Sequence, residues 1–150
     1  MATTNKAGPK RILIVDDKAS DTLLVKLYLE QTGDYLVGEE NDALAALATA
    51  EKFRPDLILL DVLMPGMNGG DLAGSLRANP RLKHVPIVFL TALVTKADIK
   101  SGVGQLGRYP LLAKPLFLPD LLACLRHQLR GGQVASEASR PCADGLTPGN

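Results

Sequence analysis

Apolar residues along the chain gather into five short runs, separated by stretches with helical spacing. Ile12-Leu-Ile-Val15 and Leu57-Ile-Leu-Leu60 are the clearest, and each stops on carboxylate, Asp16-Asp17 and Asp61. Tyr35-Leu-Val-Gly38 is weaker, Pro86-Ile-Val-Phe-Leu90 ends on Thr91, and Leu111-Leu-Ala113 ends on Lys114. Short apolar runs bounded by polar and turn residues predict strands buried on both faces. After Asp61, Met64-Pro65-Gly66 and Asn68-Gly69 supply turn chemistry.

The intervening stretches predict helices. The first runs from about Ser20 to Thr32, with Leu23, Leu24, Leu27 and Tyr28 on one face and Gly33 as its C′ residue. A second, capped by Asn41 or Asp42, carries Leu44, Leu47 and Ala48 and ends before Pro55. A short third, Gly70 to Ala78, turns Leu72 and Leu76 inward. Residues 95–106 have a weak helical pattern interrupted by Gly102 and Gly104. Each interior glycine costs about 1 kcal/mol relative to alanine, so this is the expected least stable helix. The last helix, Pro119 to Arg130, has a stripe of Leu121, Leu122, Leu125 and Leu129. Strands alternating with helices imply right-handed βαβ units and a parallel five-stranded sheet, an α/β fold. The pattern divides the chain into a disordered arm (residues 1–9), one domain (10–131) and a disordered tail or linker (132–150).

Composition narrows the function classes. The chain has 150 residues, 46% hydrophobic and 22% charged, with a formal net charge of +1. That balance gives no general attraction to nucleic acid or to an anionic membrane. No apolar run approaches the ~20 residues of a membrane span, and the N-terminus has no apolar signal region. The two cysteines, Cys124 in a helical pattern and Cys142 in the tail, leave the fold independent of disulfides and suit a reducing cytoplasm.

The strand ends carry the candidate chemistry. In a parallel sheet Asp16, Asp17, Asp61, Thr91 and Lys114 share one edge. Two like charges ~4 Å apart cost about 4 kcal/mol at an effective dielectric near 20, and one lysine cannot neutralise three carboxylates. The cluster should therefore attract a hard divalent ion such as Mg²⁺, or one carboxylate should take up a proton. A metal and a lysine clamp phosphoryl oxygens, a hydroxyl donates to one, and a carboxylate can act as nucleophile. Neither a phosphate-binding Gly-rich loop nor a Gly-x-Ser-x-Gly elbow is present. His84 and His127 are isolated and suit surface or packing roles. Each strand end also has a plain structural reading: Thr91 bonding its own backbone, Lys114 as a solvated terminus, Asp16-Asp17 as a helix cap. All of these holding at the same end of successive strands is the less economical account.

Ile-Leu-Ile-Val-Asp16-Asp17, Asp-Leu-Ile-Leu-Leu-Asp61-Val-Leu-Met-Pro-Gly-Met-Asn-Gly69, Pro-Ile-Val-Phe-Leu-Thr91-Ala and Lys114-Pro115 together resemble the receiver domain of bacterial response regulators. The resemblance runs from about Lys10 to Arg130. It implies the flavodoxin-like (βα)5 doubly wound fold with strand order 2-1-3-4-5. It implies that Asp61 accepts a phosphoryl group from a histidine kinase or a histidine phosphotransfer protein. Asp17, Asp61 and the Leu63 backbone carbonyl would ligate Mg²⁺, with Asp16 acting mainly through water. Thr91 and Lys114 would bind the phosphoryl group, and Lys114-Pro115 would be a cis bond. The only chemistry implied is self-catalysed transfer to Asp61 and slow autodephosphorylation, so the chain is not expected to be an enzyme with an external substrate.

Two departures stand out. Receivers usually carry Tyr or Phe three residues before the lysine, as a switch; here that position is Leu111, and the nearest ring is Tyr109. The variable positions two past Asp61 and two past Thr91 are Leu63 and Leu93, and two bulky apolar groups there are expected to slow hydrolysis of the aspartyl phosphate. A stand-alone cytoplasmic receiver is expected, without direct nucleic-acid or membrane binding. Its signal would leave by binding an unknown downstream protein or by forming a homodimer through the 95–130 face. The rivals are a docking module that is never phosphorylated, a small Mg²⁺ phosphatase and a fragment of a longer regulator or hybrid kinase. The phosphatase lacks its usual second acid, because Leu63 stands two residues after Asp61.

Overall fold

The first apolar run forms strand β1, Lys10–Val15, in the computed structural model, which describes residues 8–62, 64–67, 69–91, 105–106, 109–114 and 116–130. Two compact units divide the described chain, one up to Val85 and one from Pro86. In the first, β1 is followed by helix α1 (Ala19–Gln31), strand β2 (Tyr35–Glu40), a 3-10 turn (Ala43–Ala45), helix α2 (Ala46–Phe53), strand β3 (Leu57–Asp61) and helix α3 (Gly69–Ala78). β1 lies between β2 and β3, parallel to both, with Val15 opposite Glu40 on one side and Leu60 on the other. Every residue of β3 is buried. Because side chains alternate between faces, a strand buried at every position has both faces covered.

The second unit has β4 (Ile87–Thr91), β5 (Gln105–Leu106), β6 (Tyr109–Ala113) and α4 (Leu118–Arg130). β4 and β6 run parallel, with Thr91 opposite Ala113. The strand order is β2-β1-β3-β4-β6-β5. Without the two-residue β5, this is the 2-1-3-4-5 parallel order expected from the sequence.

The α1 boundaries agree with the sequence pattern, and Gly33 adopts the left-handed φ of +83° that ends such a helix. Leu23, Leu24, Leu27 and Tyr28 share a face as the spacing predicts; that face is exposed, while Thr22, Val25 and Leu29 are buried. The helix is tied to β2 by polar groups instead: Glu30 accepts the Val37 N–H at 2.9 Å, and Lys26 donates to the Val37 carbonyl at 3.2 Å. Residues 43–53 likewise bury Ala43, Ala46 and Ala50, while Leu44 is exposed. Of the two candidate caps, Asp42 accepts the Leu44 N–H at 3.0 Å. Leu72 and Leu76 are buried in α3 as expected, and α4 buries Leu121, Cys124 and Leu125.

The segment with weak helical pattern is corrected at its described end. Gln105–Leu106 pairs antiparallel with β6, Leu106 opposite Tyr109, rather than continuing a helix. The last parallel strand also starts earlier than the apolar run, at Tyr109. Cys124 is buried in α4, and Cys142 lies outside the described residues.

Candidate functional site

Each acidic residue of the site is delivered by the end of a buried strand. β1 carries four fully covered apolar residues, Ile12 to Val15, directly into Asp16. β3 carries Leu57 to Leu60 into Asp61. Burial of the apolar run fixes the strand, and the strand fixes the carboxylate. One carboxylate oxygen from each of Asp16, Asp17 and Asp61 can be chosen so that all lie within 4.8 Å of one another. Asp16 is 0% exposed and Asp61 5%.

Buried carboxylates need partners. Asp16 accepts the Lys18 N–H at 3.0 Å through Oδ1, and its own N–H reaches the Glu40 carbonyl at 3.1 Å. Asp17 is more exposed, but its Oδ1 is covered and has no hydrogen-bond partner among the described residues. An orphaned anionic oxygen beside two further carboxylates is the donor set of a hard divalent cation, and all three ligand atoms are oxygen, as Mg²⁺ prefers. Beyond Asp61, the loop is closed by the Gly69 N–H to the Val62 carbonyl at 2.7 Å. Gly66 supplies the turn with a φ of +87°, which a side chain would strain.

In the second unit, Thr91 ends β4 and is 4% exposed. Lys114 follows β6, and its N–H reaches the Thr91 carbonyl at 2.9 Å. The parallel ladder thus places the hydroxyl-bearing residue and the lysine at one strand end. Leu111 is 3% exposed and lies opposite Phe89. The ring of Tyr109 packs edge-on against Phe89, with centroids 5.3 Å apart and planes at 84°. Leu63, Leu93 and Pro115 lie outside the described residues.

From the pattern alone, Asn41 is only a candidate helix cap. Its amide instead donates to the Asp16 carbonyl at 2.7 Å and to Thr22 Oγ1 at 3.1 Å. The available signal was register: with Val15 opposite Glu40, the next residue of each strand also faces the other.

Known proteins are similar to this chain in sequence and fold. The sequence model of the response regulator receiver domain matches residues 12–126. The response regulator PleD of Caulobacter vibrioides is 36% identical over 140 residues, 93% of this chain and 30% of that protein. The DNA-binding response regulator MtrA of Mycolicibacterium paratuberculosis is 38% identical over 121 residues, 81% of this chain and 52% of that protein. The chain thus spans between about a third and a half of the curated relatives it matches. Among solved structures, the chemotaxis protein CheY4 of Vibrio cholerae superposes with a TM-score of 0.68 at 32% identity, covering 80% of this chain and 98% of that one.

Proposed function

Because the chain belongs to the response regulator receiver domain family, we propose that it is a phosphoacceptor of a two-component system or phosphorelay, modified on Asp61. The observation that carries this proposal is the oxygen cluster of Asp16, Asp17 and Asp61, with one buried carboxylate oxygen unpartnered. Asp16, Asp17 and Asp61 would hold Mg²⁺, together with the Leu63 carbonyl. When bound, the ion supplies the positive charge that lets an anionic carboxylate meet an anionic phosphoryl group.

Transfer proceeds by attack of an Asp61 carboxylate oxygen on the phosphorus of a phosphohistidine. The new O–P bond forms as the N–P bond breaks, and the imidazole leaves with a proton. Thr91 donates its hydroxyl to a phosphoryl oxygen and the Lys114 ammonium pairs with another. Water later attacks the acyl phosphate and restores the carboxylate. Leu63 and Leu93 are proposed to shield that water's path. Leu63→Asn and Leu93→Glu should each speed dephosphorylation, and unchanged rates in both would remove this role.

The donor is a histidine kinase or a phosphotransfer protein. A helix beginning two residues after Asp17 with Leu23, Leu24, Leu27 and Tyr28 exposed offers an apolar contact beside the acidic site. The signal leaves through a protein partner or a homodimer in which the 95–130 segment takes part. We place the protein in the cytoplasm, whose reducing milieu suits a chain with only two cysteines. Among the described residues no helix is long and apolar enough to cross a membrane.

A docking module without phosphorylation is the second reading, favoured by Leu111, a buried aliphatic residue at the usual switch position. Intact mass after incubation with acetyl phosphate decides between them. One added phosphoryl group, dependent on Mg²⁺ and lost in Asp61→Asn, is the expected result. No adduct, where a control receiver is labelled, would leave the docking module.

A further inference from the structure

A polar network behind the acidic cluster has no part in the chemistry just described. Thr22 is 0% exposed, on the buried face of α1. Its hydroxyl is shared between the Ala19 carbonyl at 3.1 Å and Glu39 Oε1 at 2.8 Å, while it accepts from Asn41 Nδ2 at 3.1 Å. Asn41 has two amide hydrogens, and its second acceptor is the Asp16 carbonyl at 2.7 Å. The Thr22 hydroxyl and the Asn41 amide nitrogen are thereby both engaged, which fixes the direction of that amide.

The placement of that last bond matters. The Asp16 carbonyl belongs to the peptide plane that joins Asp16 to Asp17. Asp16 itself is already held at its N–H by Glu40 and at Oδ1 by the Lys18 N–H. Asp17 Oδ1, by contrast, has no hydrogen bond among the described residues. With no bond to hold the oxygen itself, the range its rotamers can reach is set by the placement of the Asp17 backbone. Turning the Asp16–Asp17 plane would swing the Asp17 carboxylate away from Asp16 and Asp61.

We propose that Asn41 is a positioning residue for the acidic site: its amide locks the Asp16–Asp17 peptide and so aims the Asp17 carboxylate, with Thr22 holding the amide in place. This deepens the phosphoacceptor reading and rests on it for the identity of the cation. The side chain touches neither ligand nor phosphoryl group. It acts as outer partners of metal ligands do, by orienting them.

The test is a Mg²⁺ titration of the full chain, followed by amide NMR shifts, alongside thermal melts without Mg²⁺. Asn41→Ala should raise the Mg²⁺ dissociation constant about tenfold. Thr22→Val, which keeps the amide but frees it, should raise it about threefold, as expected for one hydrogen bond. The double variant should bind no more weakly than Asn41→Ala, because the two act in series. Thr49→Val is the control. It removes a hydroxyl that donates to Glu40 Oε1 and so loosens the same end of β2, without touching the Asp16–Asp17 peptide. It should lower the melting midpoint and leave Mg²⁺ affinity unchanged. A dissociation constant for Asn41→Ala within twofold of wild type would overturn the proposal, as would an equal loss in Thr49→Val. If Asn41→Ala does not fold, Thr22→Val decides on the same criterion. A wild type that binds no Mg²⁺ would remove both this proposal and the phosphoacceptor reading beneath it.

Discussion

Helices α1 and α4 are both 13 residues long, and they use their leucines in opposite ways. α4 buries Leu121 and Leu125 and presents polar residues such as Arg126 and Arg130 to solvent. α1 exposes Leu23, Leu24 and Leu27 at 48%, 49% and 51% and buries a threonine. One helix is held by its apolar stripe. The other keeps a smaller apolar contact, Val25 and Leu29, and adds side-chain bonds to β2 from Thr22, Lys26 and Glu30. A solvent-facing leucine cluster contributes little to folding, so its value lies in contact with something outside the chain.

Truncations should separate the two helices most sharply. Leu125 is 0% exposed, and Leu125→Ala should cost about 3 kcal/mol in urea unfolding. Leu27→Ala, at a half-exposed position of α1, should change stability by no more than about 0.5 kcal/mol. Comparable losses at the two sites would show that the exposed face of α1 is covered in solution.

The polar attachment of α1 predicts a smaller, pH-dependent effect. Glu30 is held below the usual carboxylate range, first by the Val37 N–H and then by Lys26, against an opposing effect of burial. A carboxyl depressed in the folded state stabilises fully above its unfolded value, and that contribution is lost as pH falls through the folded value. Glu30→Gln should therefore cost about 1 kcal/mol at neutral pH and progressively less in acid. A constant difference across the acid range would assign the effect to packing instead.

The same contrast shows what the sequence could reveal. The strand ends were legible because an apolar run closing on Asp16, Asp61, Thr91 or Lys114 is a local pattern. The fate of α1 was not. Its residues 23, 24, 25, 27, 28 and 29 are all apolar and wrap most of the helix, so periodicity selects no inward face. The buried face is chosen by what Thr22 and Glu30 can bond on β2, which is a tertiary fact. Asn41 was missed for a related reason, since its partner lies 25 residues away in sequence and is reached only through strand register. Gln105–Leu106 was misread because an antiparallel pair is specified by its partner strand, not by its own spacing.

Among the described residues β2 has a neighbour strand on one side only, which leaves the middle of that strand open to pairing with another chain. Lys26 and Glu30 change this. Their ion pair, 2.9 Å long, occupies both the N–H and the carbonyl of Val37. A foreign strand would have to expel two charged groups before its first ladder bond formed there, and Glu39 and Glu40 would then confront any acidic residue it carried. The clip that docks α1 thus also guards the sheet against runaway strand addition, so a concentrated solution of this chain should resist fibrillar aggregation from that edge.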